Sequence, residues 1–278
     1  MLFNSFFLQY MYKKEQHILI LTQHLIPNKN ALNHALKLAK IFKAKILISH
    51  SPYSKKSISN EEAEKDTPID PEINPIKFDL SEQEPNKSIE RLNIIFMLVE
   101  IDEQNDFKFF GRKNIFDWIL KAKIPSILIG NKTSSEANYS NIFVPIDHKK
   151  ESKEKMIWAS YFGRFNGATI RLFPAKEKNE ILMKTIRTTI LFTKRMYEQF
   201  NFKYQITKSE CNSKSIDEIT FKDSKVMNSD LIILMTGKAQ GVFFLRFNSK
   251  KIRHFISNYS NPILLINPMK DYYLPCEG

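Results

Sequence analysis

The chain carries the same series of apolar segments twice, and that repetition constrains the fold more than any single motif. Residues 18–23 (ILILTQ) and 142–147 (IFVPID) are apolar runs ending in a polar residue, 124 positions apart. The same offset carries Ala44-Lys45-Ile46 onto Ala168-Thr169-Ile170. Between these points lie two helical stripes, Leu32, Ala35, Leu36, Ala39 and Phe42 in one copy and Met156, Ala159, Phe162 and Gly163 in the other. Spacings of three and four put each set on one helix face. Each stripe leads into a β-rich run, KILISH at 45–50 and TIRLFP at 169–174.

Toward the end of each copy the offset becomes 137: NIIFM at 93–97 falls on DLIIL at 230–234, and Pro125 of IPSILIG on Pro262 of NPILLIN. A further helix precedes each closing strand, with Ile252, Phe255, Ile256 and Tyr259 as its stripe in copy two and Ile115, Trp118 and Ile119 in copy one. Copy two has 13 more residues in its middle, where it carries a helix over roughly 179–200 and a strand near 202–206. Short β-branched strands alternating with helices predict an α/β chain of two doubly wound, Rossmann-like parallel-sheet domains in tandem. The boundaries read 1–138 and 139–278, with the polar stretch 131–139 (NKTSSEANY) as linker.

Composition limits the function. A hydrophobic content of 42% excludes wholesale disorder, and two cysteines, Cys211 and Cys276, exclude a disulfide framework or a zinc site built on four cysteines. The formal charge is +12, yet residues 51–90 hold ten acids, five lysines and five prolines, so a −5 insertion leaves +17 elsewhere. Asn, Lys, Ile and Phe are all abundant, as in AT-rich genomes, so part of the basicity reflects codon usage. No run approaches the ~20 apolar residues of a membrane span. The N-terminal MLFNSFFLQYMYKK lacks the flanks of a secretory signal, which predicts a cytoplasmic protein starting at Met1 or Met11.

In a doubly wound sheet, ligands sit past the carboxyl ends of the strands, where strand order reverses. The residues following strand one are Gln23 and His24 in copy one, Asp147 and His148 in copy two; after the fourth strand they are 98–111 and 235–249. VPID (Val144–Asp147), the turn Gly167-Ala168, DLIILMT (Asp230–Thr236) and NPILLINP (Asn261–Pro268) together resemble the universal stress protein family in tandem form. Copy one is more divergent, matching mainly over 18–50 and KAKIPSILIG (Lys121–Gly130). The resemblance implies a stress-response or regulatory role without catalysis, and an intramolecular pseudo-dimer through strands 125–130 and 262–267.

Nucleotide-binding members carry an Asp after strand one and G-x2-G-x9-G-[S/T] after strand four, whose backbone amides cradle phosphates. Here that pattern is Met235-x2-Lys238-x9-Asn248-Ser249 in copy two and Leu98-x2-Ile101-x9-Gly111-Arg112 in copy one. Gly237 and Gly241 lie close by at the wrong spacing. The resemblance therefore implies a candidate ATP or AMP site in domain 2 alone, from Pro145, Asp147, Met235, Thr236, Gly237, Gly241, Asn248 and Ser249, with nucleotide binding lost or confined there. Asp147 has a second reading as a cap of the next helix.

Cations gather where phosphates would lie: Arg246, Lys250, Lys251, Arg253 and His254 in copy two, Lys108, Arg112 and Lys113 in copy one. They are either an anion site or a solvated basic face. Phe243, Phe244 and Phe247 read as core or interface. Six histidines form no metal-ligand spacing, and there is no nucleophile elbow, so no catalytic set emerges. A nucleotide-binding universal stress protein and a basic nucleic-acid binder are the alternatives. The second lacks a helix-turn-helix, an RNP-like motif or a zinc knuckle, and KKESKEK at 149–155 reads as surface pairing. Homo-oligomers are compatible with this reading.

Overall fold

The computed structural model describes residues 15–22, 27–50, 73–75, 85–101, 116, 119–120, 122–236 and 249–268. Copy one contributes β1 (His17–Thr22), α1 (Lys29–Phe42), β2 (Lys45–His50), β3 (Ile73–Pro75), α2 (Pro85–Arg91), β4 (Ile94–Ile101) and β5 (Ser126–Gly130). Copy two contributes β6 (Asn141–Ile146), α3 (Ser152–Asn166), β7 (Thr169–Pro174), α4 (Glu180–Gln199), β8 (Tyr204–Ile206), α5 (Ile216–Ser224), β9 (Leu231–Met235), α6 (Ser249–Asn258) and β10 (Ile263–Ile266). The expected long helix and short strand of copy two are α4 and β8.

The ten strands among the described residues belong to one sheet, ordered β3-β2-β1-β4-β5-β10-β9-β6-β7-β8. Each copy repeats the 3-2-1-4-5 order of a doubly wound half, and pairing within each copy is parallel. The halves join where β5 and β10 run antiparallel, with Ile263 opposite Leu128 and Leu265 opposite Ser126. Ile127, Leu128, Leu264 and Leu265 are buried, as expected for strands covered on both faces.

The joint extends beyond the strands. On one face α1 and α3 meet through aromatic rings: Phe42 lies 5.4 Å from Phe162 and 4.8 Å from Phe96, and Phe96 lies 5.5 Å from Trp158. Such edge and tilted contacts add to the area they bury. On the other face the copies close differently at corresponding positions. Gly130 runs against Ile256 so tightly that a Cβ would lie 2.2 Å from its Cγ2. Its counterpart at offset 137, Asn267, instead donates through Nδ2 to the carbonyls of Ile119 (2.6 Å) and Ala122 (2.7 Å).

The stretch 131–139, polar in sequence, is not a loose tether. Tyr139 is fully buried, 5.6 Å from Phe162, and adopts φ 52°. Its hydroxyl donates to His34 Nδ1 at 2.7 Å, while His34 Nε2 donates to the Ser134 carbonyl at 2.8 Å. A carbonyl only accepts, so His34 is the Nε2–H tautomer. Burial pushes its pKa down, partly offset by the Ser134 carbonyl. The α1 stripe expected from Leu32, Leu36 and Phe42 is likewise shifted: those three are half-buried, and Ala31, His34, Leu38 and Ile41 complete the fully buried face with Ala35 and Ala39. Packing against α3 and the linker turns the helix by part of a turn from its hydrophobic pattern.

Candidate functional site

The switch points fall between β1 and β4 in copy one and between β6 and β9 in copy two. In copy one the ladder continues from Ile18↔Phe96 to Leu21↔Val99. Its carboxyl end is then closed by Glu100, only 4% exposed. One carboxylate oxygen of Glu100 accepts from the Thr22 hydroxyl at 2.7 Å and from the Asn28 backbone N–H at 3.3 Å. Asn28 is the N-cap of α1, so a side-chain anion occupies the mouth of that helix, where a ligand phosphate would be held.

Copy two opens instead. The β6–β9 ladder stops at Phe143↔Ile232. The carbonyls of Ser140 and Ile146 face β7, accepting from Thr169 and Ala175, whereas that of Asn141 faces β9, accepting from Asp230. Alternation therefore turns Pro145 toward β9. Proline has no N–H to give the ladder, so the strands part there. The freed Pro145 carbonyl accepts from the Lys155 ammonium at 2.5 Å, and Lys155 is only 2% exposed. Leu21, the copy-one counterpart of Pro145 at offset 124, keeps its donor.

Asp147 follows directly. Its Oδ1 accepts from the Ser152 hydroxyl and from the Lys149 N–H at 3.2 Å, and Lys149 Nζ lies 3.9 Å from Oδ2. Burial alone would raise its pKa, but the Lys155 charge, the Ser152 hydroxyl and Lys149 outweigh it and hold the carboxyl below its usual range. The β6–α3 turn is thus capped by Asp147, while Glu151 at the N-cap makes no side-chain cap bond. A loop after β8 covers the neighbouring wall: Ser209 donates to the Pro174 carbonyl (2.7 Å), and Lys176 N–H to that of Cys211 (2.8 Å). The His148 N–H donates to Ser213 Oγ (3.2 Å) and the Ser213 N–H to Glu177 (2.8 Å), and hydrogen bonding from Ser213 lowers the Glu177 pKa.

Met235 ends β9 and Thr236 follows it. Thr236 N–H donates to the Ile266 carbonyl (2.8 Å) and its hydroxyl to Asn267 Oδ1 (2.6 Å), linking this rim to copy one. The described α6 cations do not converge: Lys251 pairs with Asp217 at 3.3 Å, Arg253 lies over Phe116 at 6.0 Å, and exposed His254 bonds with Asn258. Gln23, His24, Lys108, Arg112, Lys113, Gly237, Gly241, Phe243, Phe244, Arg246, Phe247 and Asn248 lie outside the described residues, as do the side chains of Ser249 and Lys250. Among the described residues there is no group of His, Cys, Asp and Glu fit for a metal, and no helix long and apolar enough to cross a membrane.

The sequence matches no protein-family model and no curated protein. Solved structures do match. A universal stress protein from Archaeoglobus fulgidus superposes with a TM-score of 0.62 at 12% identity, covering 91% of this chain and 98% of that one. This is the universal stress protein fold in tandem. A putative universal stress protein from Pseudomonas aeruginosa agrees over 93% of this chain and 95% of its own, with a TM-score of 0.54 at 12% identity. A functionally unknown protein from the same species gives 0.54 at 10% identity over 94% and 95% of the two chains. The strand order puts Asp147, Met235 and Thr236 at the copy-two switch point and Glu100 at that of copy one. Glu100 and Lys155 escaped the sequence reading. The signals were a lone acid in the apolar run IIFMLVEI and a lysine in register with Met156, Ala159 and Phe162.

Proposed function

We propose that this chain is a non-enzymatic, cytoplasmic regulatory protein of the universal stress protein kind, with tandem domains over 1–138 and 139–278. Domain 1 has lost nucleotide binding, and domain 2 is the single site for ATP or AMP. The observation that supports this most is the buried Glu100 carboxylate at the first switch point, which repels a phosphate and already uses the helix-mouth N–H. At the corresponding offset copy two has Gly237, which brings no charge. In domain 2 the ligand is flanked by Pro145, Asp147, Met235, Thr236, Gly237, Gly241, Asn248 and Ser249. Arg246 and Lys250 supply positive charge in place of the absent glycine cradle, while Arg253 lies over Phe116 and His254 bonds with Asn258. Titration calorimetry at low salt with ATP, AMP and polyphosphate tests the assignment. Binding that disappears in Asp147→Ala and persists in Glu100→Gln is the expected result; heat from none of the three ligands overturns it.

A further inference from the structure

The two ends of the ten-stranded sheet carry opposite charge. At the β8 end, residues 180–208 hold six cations against two acids, a net of +4. Of those acids, Glu198 accepts a hydrogen bond from the Tyr204 hydroxyl at 2.8 Å. Lys184, Arg187, Leu191 and Arg195 recur at helical spacing along α4 and are all exposed, so they form one stripe facing solvent. Ile181 and Leu191 in this flank are 76% and 57% exposed, and Phe200 and Ile206 are exposed beside them at the edge strand. A face that only solvates a helix has no need of these apolar side chains.

At the opposite end, residues 51–90 run from the end of β2 through β3 into α2 and carry ten acids against five lysines, a net of −5. These two features lie at opposite ends of the sheet. Nine strand intervals separate β3 from β8, about 43 Å at ~4.8 Å each. The 22 residues between β2 and β3 begin and end at neighbouring strands. Going out and back, they reach at most about 40 Å even when fully extended.

We propose that the cationic, apolar flank of α4 and β8 receives the acidic 51–90 stretch of a second copy of this chain. The contact is heterologous, so it joins molecules head to tail. It uses neither switch point and is independent of the nucleotide assignment above.

Sedimentation velocity of the full chain tests it. Association that grows with concentration at about 50 mM salt and is lost at about 500 mM is expected, because screening shortens the reach of exposed charges. The double variant Arg187→Glu with Arg195→Glu and the triple variant Glu61→Lys, Glu62→Lys and Glu64→Lys should each sediment as monomers at low salt. Mixing the two should restore association, since reversed flank then meets reversed stretch. A wild-type chain that stays monomeric at low salt overturns the proposal, even if it binds anionic vesicles or DNA. So does association that survives both sets of substitutions, or a mixture that fails to reassociate.

Discussion

The two switch points share a strand order and differ in how each sheet ends. In copy one the ladder runs on to Leu21, and Glu100 seals the end with Thr22 and the mouth of α1. In copy two Pro145 stops the ladder after Phe143, and the gap is filled by the Lys155 ammonium with Asp147 above it. The buried charge is an anion in one copy and a cation beside a capped carboxylate in the other. Two residues, a proline that withholds one N–H and an acid at the tip of a strand, are enough to give one backbone plan two chemistries. The comparison also separates what a repeat preserves, the topology and the β5–β10 joint, from what it leaves free.

The largest test of this contrast is Glu100→Leu. It removes the acceptor that the Thr22 hydroxyl and the Asn28 N–H share, and a hydrogen bond to a charged group is worth about 1.5–3 kcal/mol. Urea unfolding should show a loss of about 3 kcal/mol; an unchanged midpoint would mean that the carboxylate does not close copy one. Asp147→Asn should cost less, about 1–2 kcal/mol, because an amide oxygen still accepts from Ser152 and Lys149. The pH dependence distinguishes the two further. The Asp147 carboxyl is held below its usual range, so its contribution is present above the unfolded-state value and is lost as pH falls through the lower folded-state value. An acid titration of stability between about pH 5 and 2 should therefore be shallower in Asp147→Asn than in the wild type.

The joint offers a second contrast. Gly130→Ala drives a methyl into Ile256 and should destabilise the chain by about 1–3 kcal/mol. In Asn267→Ala, at the corresponding position, the Ile119 carbonyl keeps the Ala122 N–H and the Thr236 hydroxyl keeps the Ile266 carbonyl, so thermal melts should place it only about 1 kcal/mol below wild type. The smallest effect concerns the C-caps of α1 and α3. Both are left-handed, Lys43 at φ 52° and Gly167 at φ 64°. Lys43→Gly should stabilise by about 0.5–1 kcal/mol and Gly167→Ala should destabilise by a similar amount. Equal melting shifts of the same sign would break the correspondence.

The fold was legible because periodicity reports burial directly. Met156, Ala159 and Phe162, or Ile252, Phe255 and Ile256, pack where their spacing puts them. The linker was not, since Thr133 and Tyr139 are buried by hydrogen bonds and ring contacts rather than by a local apolar pattern. Within the site, Asp147 was legible as a position, and both of its readings rest on that position; the bonds to Ser152 and Lys149 are those of a cap. Pro145 stood in plain view in VPID, but its effect depends on which neighbour its missing N–H faces, and only the strand order supplies that. Glu100 was hidden because a lone acid in an apolar strand has no local partner to announce it; its partners are the Thr22 hydroxyl and the Asn28 N–H. Lys155 was hidden at the end of the charged run KKESKEK, which reads as a solvated surface, whereas the side chain is buried on the Pro145 carbonyl.

Nucleotide stoichiometry tests the central claim most directly. Equilibrium dialysis of the full chain against labelled ATP at low salt should saturate at one nucleotide per chain, with the site removed by Asp147→Ala. Saturation at two per chain, or no binding at all, would contradict a molecule whose first switch point is closed by its own carboxylate and whose second remains a nucleotide site.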